Sequence, residues 1–302
     1  MTAPKSILLT GVNGFLGNYL TSALLNAGYE VFGIGKGICR LAIEDKHFHY
    51  YSLDLTDSPK LAELFTILAP GIVIHAAANS KPDDCEDNQD AAYAVNVRTT
   101  QTLLELAVTM QSRFIYISTD FVFDGQKGLY KESDQTNPIN YYGKTKQLSE
   151  QLVAQYPFAN AIIRTVLVYG KPLAGRQNIL SLVHQKLQNG EPFRLVNDQF
   201  RTPTFVKDLV WGIVQIVQQN KTGVWHLSGD QPLMSPYQMG IALAETFHFD
   251  ASLLIPVNHT TFQETALRPR TTGLDIQKAK TELGFRPTPF AKAMREMFIF
   301  SS

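Results

Sequence analysis

Three glycines spaced by three, Gly11, Gly14 and Gly17, follow directly on the apolar run Ser6–Thr10 and open an apolar-periodic stretch from Phe15 to Ala27. A short buried run that ends at a glycine reads as a strand. Apolar residues at helical spacing that stop at Gly28 read as a helix. A glycine-rich turn between the two lets backbone come close to a bound group, and the helix N-terminus behind it favours an anion. The alternative is a glycine-rich turn that binds nothing. Its place between a strand and a helix, near the start of a repeating pattern, is the context that favours a dinucleotide site.

The pattern repeats. Strand-like runs occur at Glu30–Ile34, Phe48–Leu53, Gly71–His75, Phe114–Ser118 and Ala161–Ile163. Between them, helical patterns run over Asp57–Leu68, Asp90–Met110 and Tyr141–Gln155. Strands alternating with helices predict a parallel sheet covered on both faces, and the strands are accordingly almost wholly apolar. The fold class expected is α/β: a Rossmann-type, doubly wound parallel sheet with a smaller α/β substrate-binding part. Beyond about Thr165 the alternation loosens, with helices at Ile179–Asn189, Asp208–Gln218 and Pro236–Phe247 and short strands at Phe193–Val196 and Val224–Leu227. The division expected is a dinucleotide-binding domain over 1–165 and a substrate-binding part over 166–302, some of whose segments return to the first domain.

Balanced charge, 27 basic against 27 acidic residues, argues against a nucleic-acid partner. No apolar run is long enough to span a bilayer, and the start Met1–Lys5 lacks the layout of a secretory leader, so a cytoplasmic protein is expected. Two cysteines, Cys39 and Cys85, are too few for a disulfide framework, and the His spacing offers no metal site.

Two sequence features refine the chemistry. An acid that bonds the ribose 2′-OH of NAD is expected at the end of the second strand. That place falls at Gly35, with Lys36 and Arg40 just beyond. Loss of an acid beside two cations suits a 2′-phosphate, hence NADPH, with NADH still open; the alternative is that both cations are solvated surface charges. Asp54, next to Leu55, could bond the adenine amine or cap the helix that begins near Asp57. The second feature is Tyr142-x-x-x-Lys146, a helical spacing that puts both on one face. A nearby ammonium lowers a phenol's pKa, so the tyrosine could protonate a carbonyl oxygen as hydride reaches its carbon. Ser118-Thr119-Asp120 ends the fifth strand, where ligands of open α/β sheets bind. The structural alternatives are a turn residue for Thr119 and an amphipathic helix face for the other two. His75, on an apolar strand, reads as a packed residue.

The glycine loop, the Thr119–Tyr142–Lys146 set, His75-Ala76-Ala77-Ala78 and Asn96 together resemble the extended short-chain dehydrogenase/reductase family. Within it, Ser118–Gly125 (STDFVFDG), Tyr142–Lys146 (YGKTK), Asp198-Gln199-Phe200, Pro203-Thr204 and Arg268-Pro269 resemble dTDP-4-dehydrorhamnose reductases. The resemblance implies that Thr119 bonds the keto oxygen, Tyr142 donates the proton, and Lys146 holds the nicotinamide ribose. It implies that Gly11, Asn13, Gly14, Phe15, Leu16 and Gly17 carry the pyrophosphate and that Ala76, Ala77 and Ala78 lie along the cofactor. It places Thr119 and Asp120 at the substrate, with Arg268 on a substrate phosphate or in a surface ion pair. The implied partner is a nucleotide-sugar, and a homodimer fits the family habit. Related 4,6-dehydratases carry Thr-Asp-Glu where this chain has Thr119-Asp120-Phe121, and phenylalanine cannot act as a base. Epimerases of the family hold NAD with an acid at the place of Gly35. The same resemblance includes the NADP-binding regulatory subunit of methionine adenosyltransferase, so the alternatives to reduction of a 4-keto-6-deoxysugar are a nucleotide-sugar epimerase or dehydrogenase and a non-catalytic regulatory role.

Overall fold

The computed structural model describes residues 5–173 and 177–298; Met1–Pro4, read above as part of a start without a secretory-leader layout, lie outside that range. Seven parallel strands form the main sheet: β1 (Ser6–Thr10), β2 (Glu30–Gly35), β3 (Phe48–Ser52), β4 (Ile72–His75), β5 (Arg113–Thr119), β6 (Asn160–Thr165) and β7 (Gly223–His226). Their spatial order is 7-6-5-4-1-2-3. The strand order reverses beside β1, and this switch point is where an open α/β sheet forms its ligand crevice. Ile7 and Leu9 of β1 belong to one core and Leu8 to another, so each face of the sheet buries its own set of side chains. Such burial on both faces is why the strands read as continuous apolar runs rather than alternating ones.

Helix α1 (Phe15–Asn26) starts from Gly14, and α2 (Ser58–Leu68) is capped by Asp57, whose carboxylate accepts from the Lys60 amide. The long helix expected over Asp90–Met110 is interrupted. An α-turn over Gln89–Tyr93 passes into a π-helical turn at Ala94–Arg98 before α3 (Thr99–Met110) resumes. Apolar spacing does not report such a turn, because one extra residue shifts the register without removing the amphipathic face. Helix α4 (Tyr141–Ala154) is capped by Asn140, and α5 (Val206–Gln218) packs on the same side of the sheet as α1.

The second half is built differently. Its strand β7 enters the main sheet, pairing Gly223–His226 with Ala161–Arg164. Smaller sheets made of short strands lie at the carboxyl ends of the main strands, one joining Phe200–Arg201, Thr271–Leu274 and Gly128–Tyr130. The strands of this three-stranded sheet, two to four residues each, carry too little pattern to be read from sequence, whereas the expected Phe193–Val196 strand forms and pairs with Leu254–Val257.

Candidate active site

A cleft of about 1370 Å³ opens over the carboxyl ends of β1, β2, β4 and β5. Gly11 sits at φ +78°, and a Cβ there would come within 2.9 Å of the Ala77 amide nitrogen. A Cβ on Gly17 would lie 2.2 Å from the Gly11 carbonyl oxygen. The loop therefore packs backbone on backbone. Its floor and the first turn of α1 form a cradle that a diphosphate fits, since the helix N-terminus there carries no side-chain cap and its amides can meet an anion. Gly11, Asn13, Gly14, Phe15, Leu16 and Gly17 line the cleft, as do Ala76, Ala77 and Ala78.

The loop after β4 is held from beneath. Thr10 Oγ1 accepts the Ala76 and Ala77 amides, each at 3.1 Å, which leaves its proton for His75 Nδ1 at 2.8 Å. On the other side of the ring, Thr100 donates its own proton to the Asn96 carbonyl, so His75 Nε2 must be the donor to Thr100 Oγ1 at 3.0 Å. Burial holds the imidazole neutral, its pKa pushed down to about 3, with the Lys146 ammonium adding to the effect. His75 is thus a brace. Asn96, on the π-helical turn, exchanges two hydrogen bonds with the Asn79 backbone and donates to Thr145 Oγ1 at 2.9 Å, tying this loop to α4.

At the end of β5, Thr119 and Asp120 reach the cleft beside Tyr142 and Lys146. Thr119 Oγ1 accepts the Phe121 amide at 3.3 Å and donates to Asp120 at 3.1 Å. Burial raises the Tyr142 phenol well above the ordinary tyrosine value; the Thr119 hydroxyl opposes this, and Asp120 reinforces it. The expected lowering by Lys146 does not occur here. The Lys146 ammonium instead donates to the Ile117 carbonyl at 2.7 Å and stands 4.0 Å above the Tyr116 ring. Burial drives Lys146 down to about 7, with Glu150 one helical turn further on working against it.

Asp120, expected at the substrate, and three charged residues that the sequence did not single out, Glu150, Arg164 and Arg201, form two buried pairs, of which Asp120 and Arg201 line the cleft. Asp120 is buried against Arg201, whose Nε lies 3.3 Å away, and also accepts from Thr272. Arg201 in turn donates to the Phe200, Pro269 and Arg270 carbonyls, so this pair fastens the end of β5 to the second half. Glu150 accepts from Ser118 at 2.5 Å and pairs with Arg164 of β6 at 2.7 Å, both side chains nearly inaccessible. The available signal was a charged residue inside an apolar strand, which demands a buried partner.

Three further expectations fare differently in the structure. Asp54 does not cap α2, a task Asp57 performs; it accepts from Thr56 and forms an ion pair with Lys36 at 2.8 Å, which holds its pKa down at about 2. Lys36, Arg40, Asp54 and Leu55 all line the cleft. Of the two readings of Arg268, the ion pair is the one formed: its guanidinium makes a two-pronged bond to Asp83 at 2.8 and 2.7 Å, on the wall of the cleft. Among the described residues no cluster of His, Cys, Asp or Glu could hold a metal ion, and no helix is long and apolar enough to cross a membrane.

The sheet order, the glycine cradle and the Thr–Tyr–Lys grouping at the strand ends define an α/β protein of the extended short-chain dehydrogenase/reductase type. More narrowly, the chain belongs to the family described as the RmlD substrate binding domain, whose model it matches over residues 5–300. It is 30% identical to methionine adenosyltransferase 2 subunit beta of Bos taurus, over 97% of this chain and 86% of that one. It is 29% identical to dTDP-4-dehydrorhamnose reductase of Aggregatibacter actinomycetemcomitans, over 96% and 97%. Among solved structures, dTDP-4-dehydrorhamnose reductase of Bacillus anthracis in complex with NADP superposes with a TM-score of 0.84 at 26% identity, covering 98% of this chain and 99% of that one.

Proposed function

We propose that the protein is an oxidoreductase that uses NADPH, with NADH as a weaker substitute, to reduce the 4-keto group of a nucleotide-linked 6-deoxysugar. The observation that carries this reading is the buried Tyr142 phenol, held protonated beside the Thr119 hydroxyl in the same cleft as the glycine cradle. A phenol kept protonated is an acid, which is what reduction of a carbonyl requires. Bound nicotinamide supplies the hydride to the keto carbon. Tyr142 Oη gives its proton to the developing alkoxide, and Thr119 Oγ1, turning its proton from Asp120, donates to the same oxygen. Lys146, one helical turn beyond Tyr142, holds the cofactor ribose and, while protonated, lends positive charge as the phenolate forms. Gly11–Gly17 cradle the pyrophosphate, Ala76–Ala78 flank the ring, and Lys36 and Arg40 face the adenosine end. Residues up to about 165, with β7, form the nucleotide-binding part, and the rest closes over the nucleotide-sugar.

The pairing of Asp120 with Arg201 and Thr272 also bears on the reaction type. Among the described residues, the Asp120 carboxylate next to Thr119 is already hydrogen-bonded and Phe121 follows it, which favours reduction over an elimination that needs a free base there. A second reading, a non-catalytic regulatory subunit, is supported by the equally high identity to the methionine adenosyltransferase subunit. NADPH oxidation with dTDP-4-keto-6-deoxyhexoses decides between them. Turnover that falls by about 10²–10⁴ in Tyr142→Phe supports the reductase. Absence of turnover across such sugars, with NADPH still bound, favours the regulatory subunit.

A further inference from the structure

Asn13 lies in the glycine loop, yet its side chain turns away from the cradle and toward the segment after β2. Its Nδ2 reaches the Ile38 carbonyl at 2.9 Å, the Lys36 carbonyl at 3.2 Å and the Tyr50 hydroxyl oxygen at 3.0 Å, two hydrogens shared among three acceptors. Its Oδ1 accepts the Arg40 amide at 2.9 Å. Tyr50 then passes its own proton to the Gly37 carbonyl at 2.5 Å. One amide side chain thus ties down the whole turn from Lys36 to Arg40. Little else would: Gly37 is at φ +76°, and Ile38 at the tip is 83% exposed.

The same two side chains fill the space at the end of β2. A Cβ on Gly35 would lie 2.8 Å from Asn13 Nδ2 and 3.1 Å from Tyr50 Cε2. An acid at this position, the device that selects an unphosphorylated ribose, has no room while Asn13 makes its bonds. Both cations of the turn line the cleft. Lys36 shares its charge with Asp54, whereas the Arg40 guanidinium forms no ion pair among the described residues.

We propose that Asn13, backed by Tyr50, is the positioning residue that sets the preference for a 2′-phosphorylated nucleotide. It closes the place of a competing acid and holds the turn so that Arg40 and Lys36 meet the phosphate. The proposal deepens the NADPH reading above and rests on it.

The test is calorimetric titration of the purified protein with 2′,5′-ADP and with 5′-AMP, which differ only in the 2′-phosphate, and it needs no turnover. Wild type should bind 2′,5′-ADP more tightly. Asn13→Ala should weaken 2′,5′-ADP about tenfold, the loss of roughly one charge-assisted contact, while 5′-AMP affinity changes less than about twofold. Tyr50→Phe, which keeps the ring and removes one anchor, should move in the same direction by about threefold; it carries the test if Asn13→Ala proves unfolded by circular dichroism. An equal fall for both ligands would show a merely structural role and overturn the proposal. So would unchanged preference in both variants. A wild type with no preference for the 2′-phosphate would instead overturn the NADPH reading itself.

Discussion

Replacing Lys146 by methionine tests the electrostatics of the site through stability alone. The ammonium is buried, bonded to one carbonyl and stacked on one ring, and its pKa falls from the usual 10.5 to about 7. The folded protein therefore releases this proton near pH 7, while the unfolded chain keeps it until above pH 10. Between those limits the unfolded state binds more protons, so the contribution of this group to stability must rise with pH. Each pH unit in that window is worth about 1.4 kcal/mol per proton. Below pH 7 lysine is charged in both states and the contribution is flat. Methionine has similar length and no charge, so Lys146→Met lacks this slope and should be the more stable protein near pH 6. The advantage should shrink steadily toward pH 10, a shift of several kcal/mol in the difference between the two. The assay is urea unfolding of both proteins, without nucleotide, at pH 6, 7, 8, 9 and 10, assay conditions chosen to bracket the window. Parallel curves would mean that Lys146 keeps an ordinary ammonium in the folded state, and the argument from burial would fail.

Other perturbations follow from the same geometry. Glu150→Gln leaves Arg164 charged and unpaired among buried groups, which should cost about 3–5 kcal/mol in chemical denaturation. A Cβ on Gly143 would lie 2.1 Å from the Phe121 carbonyl oxygen, so Gly143→Ala should push α4 from the end of β5. A displacement of about 1 Å between Tyr142 and Thr119 should lower kcat by about a hundredfold while nucleotide binding, read by fluorescence titration, persists. Asp83→Asn weakens the clasp on Arg268 and its bonds to Ala266 and Thr265. The segment around residue 266 should then become a faster site of limited proteolysis, by a fewfold, with little change in melting temperature because the pair is partly exposed.

The sheet was legible because each strand buried on both faces carries its own signature, and because Gly11, Gly28 and Asp57 mark where elements begin and end. Tyr142, Lys146 and Thr119 could be singled out because their spacing and their place at a strand end have chemical meaning. What escaped the sequence depends on distance along the chain. Arg201 meets Asp120 from 81 positions away, and nothing local marks either as the other's partner. The direction of the Tyr142 shift was misjudged for a related reason. Spacing puts Lys146 on the same helical face, but only the packing shows that its ammonium is drawn to Ile117 and that desolvation outweighs it. The π-helical turn at Ala94–Arg98 was hidden because amphipathic spacing survives it.

The return of β7 to the main sheet has a consequence for biosynthesis. Gly223–His226 is the outermost strand beside β6, and it is made some sixty residues after that strand leaves the ribosome. Throughout that interval β6 presents an unpaired edge, with Ile162 and Ile163 beside it, to whatever else is nearby. A fragment ending near residue 165 would keep that edge permanently. The nascent chain thus has a window of vulnerability set by topology, closed only when Trp225 arrives to seal the sheet.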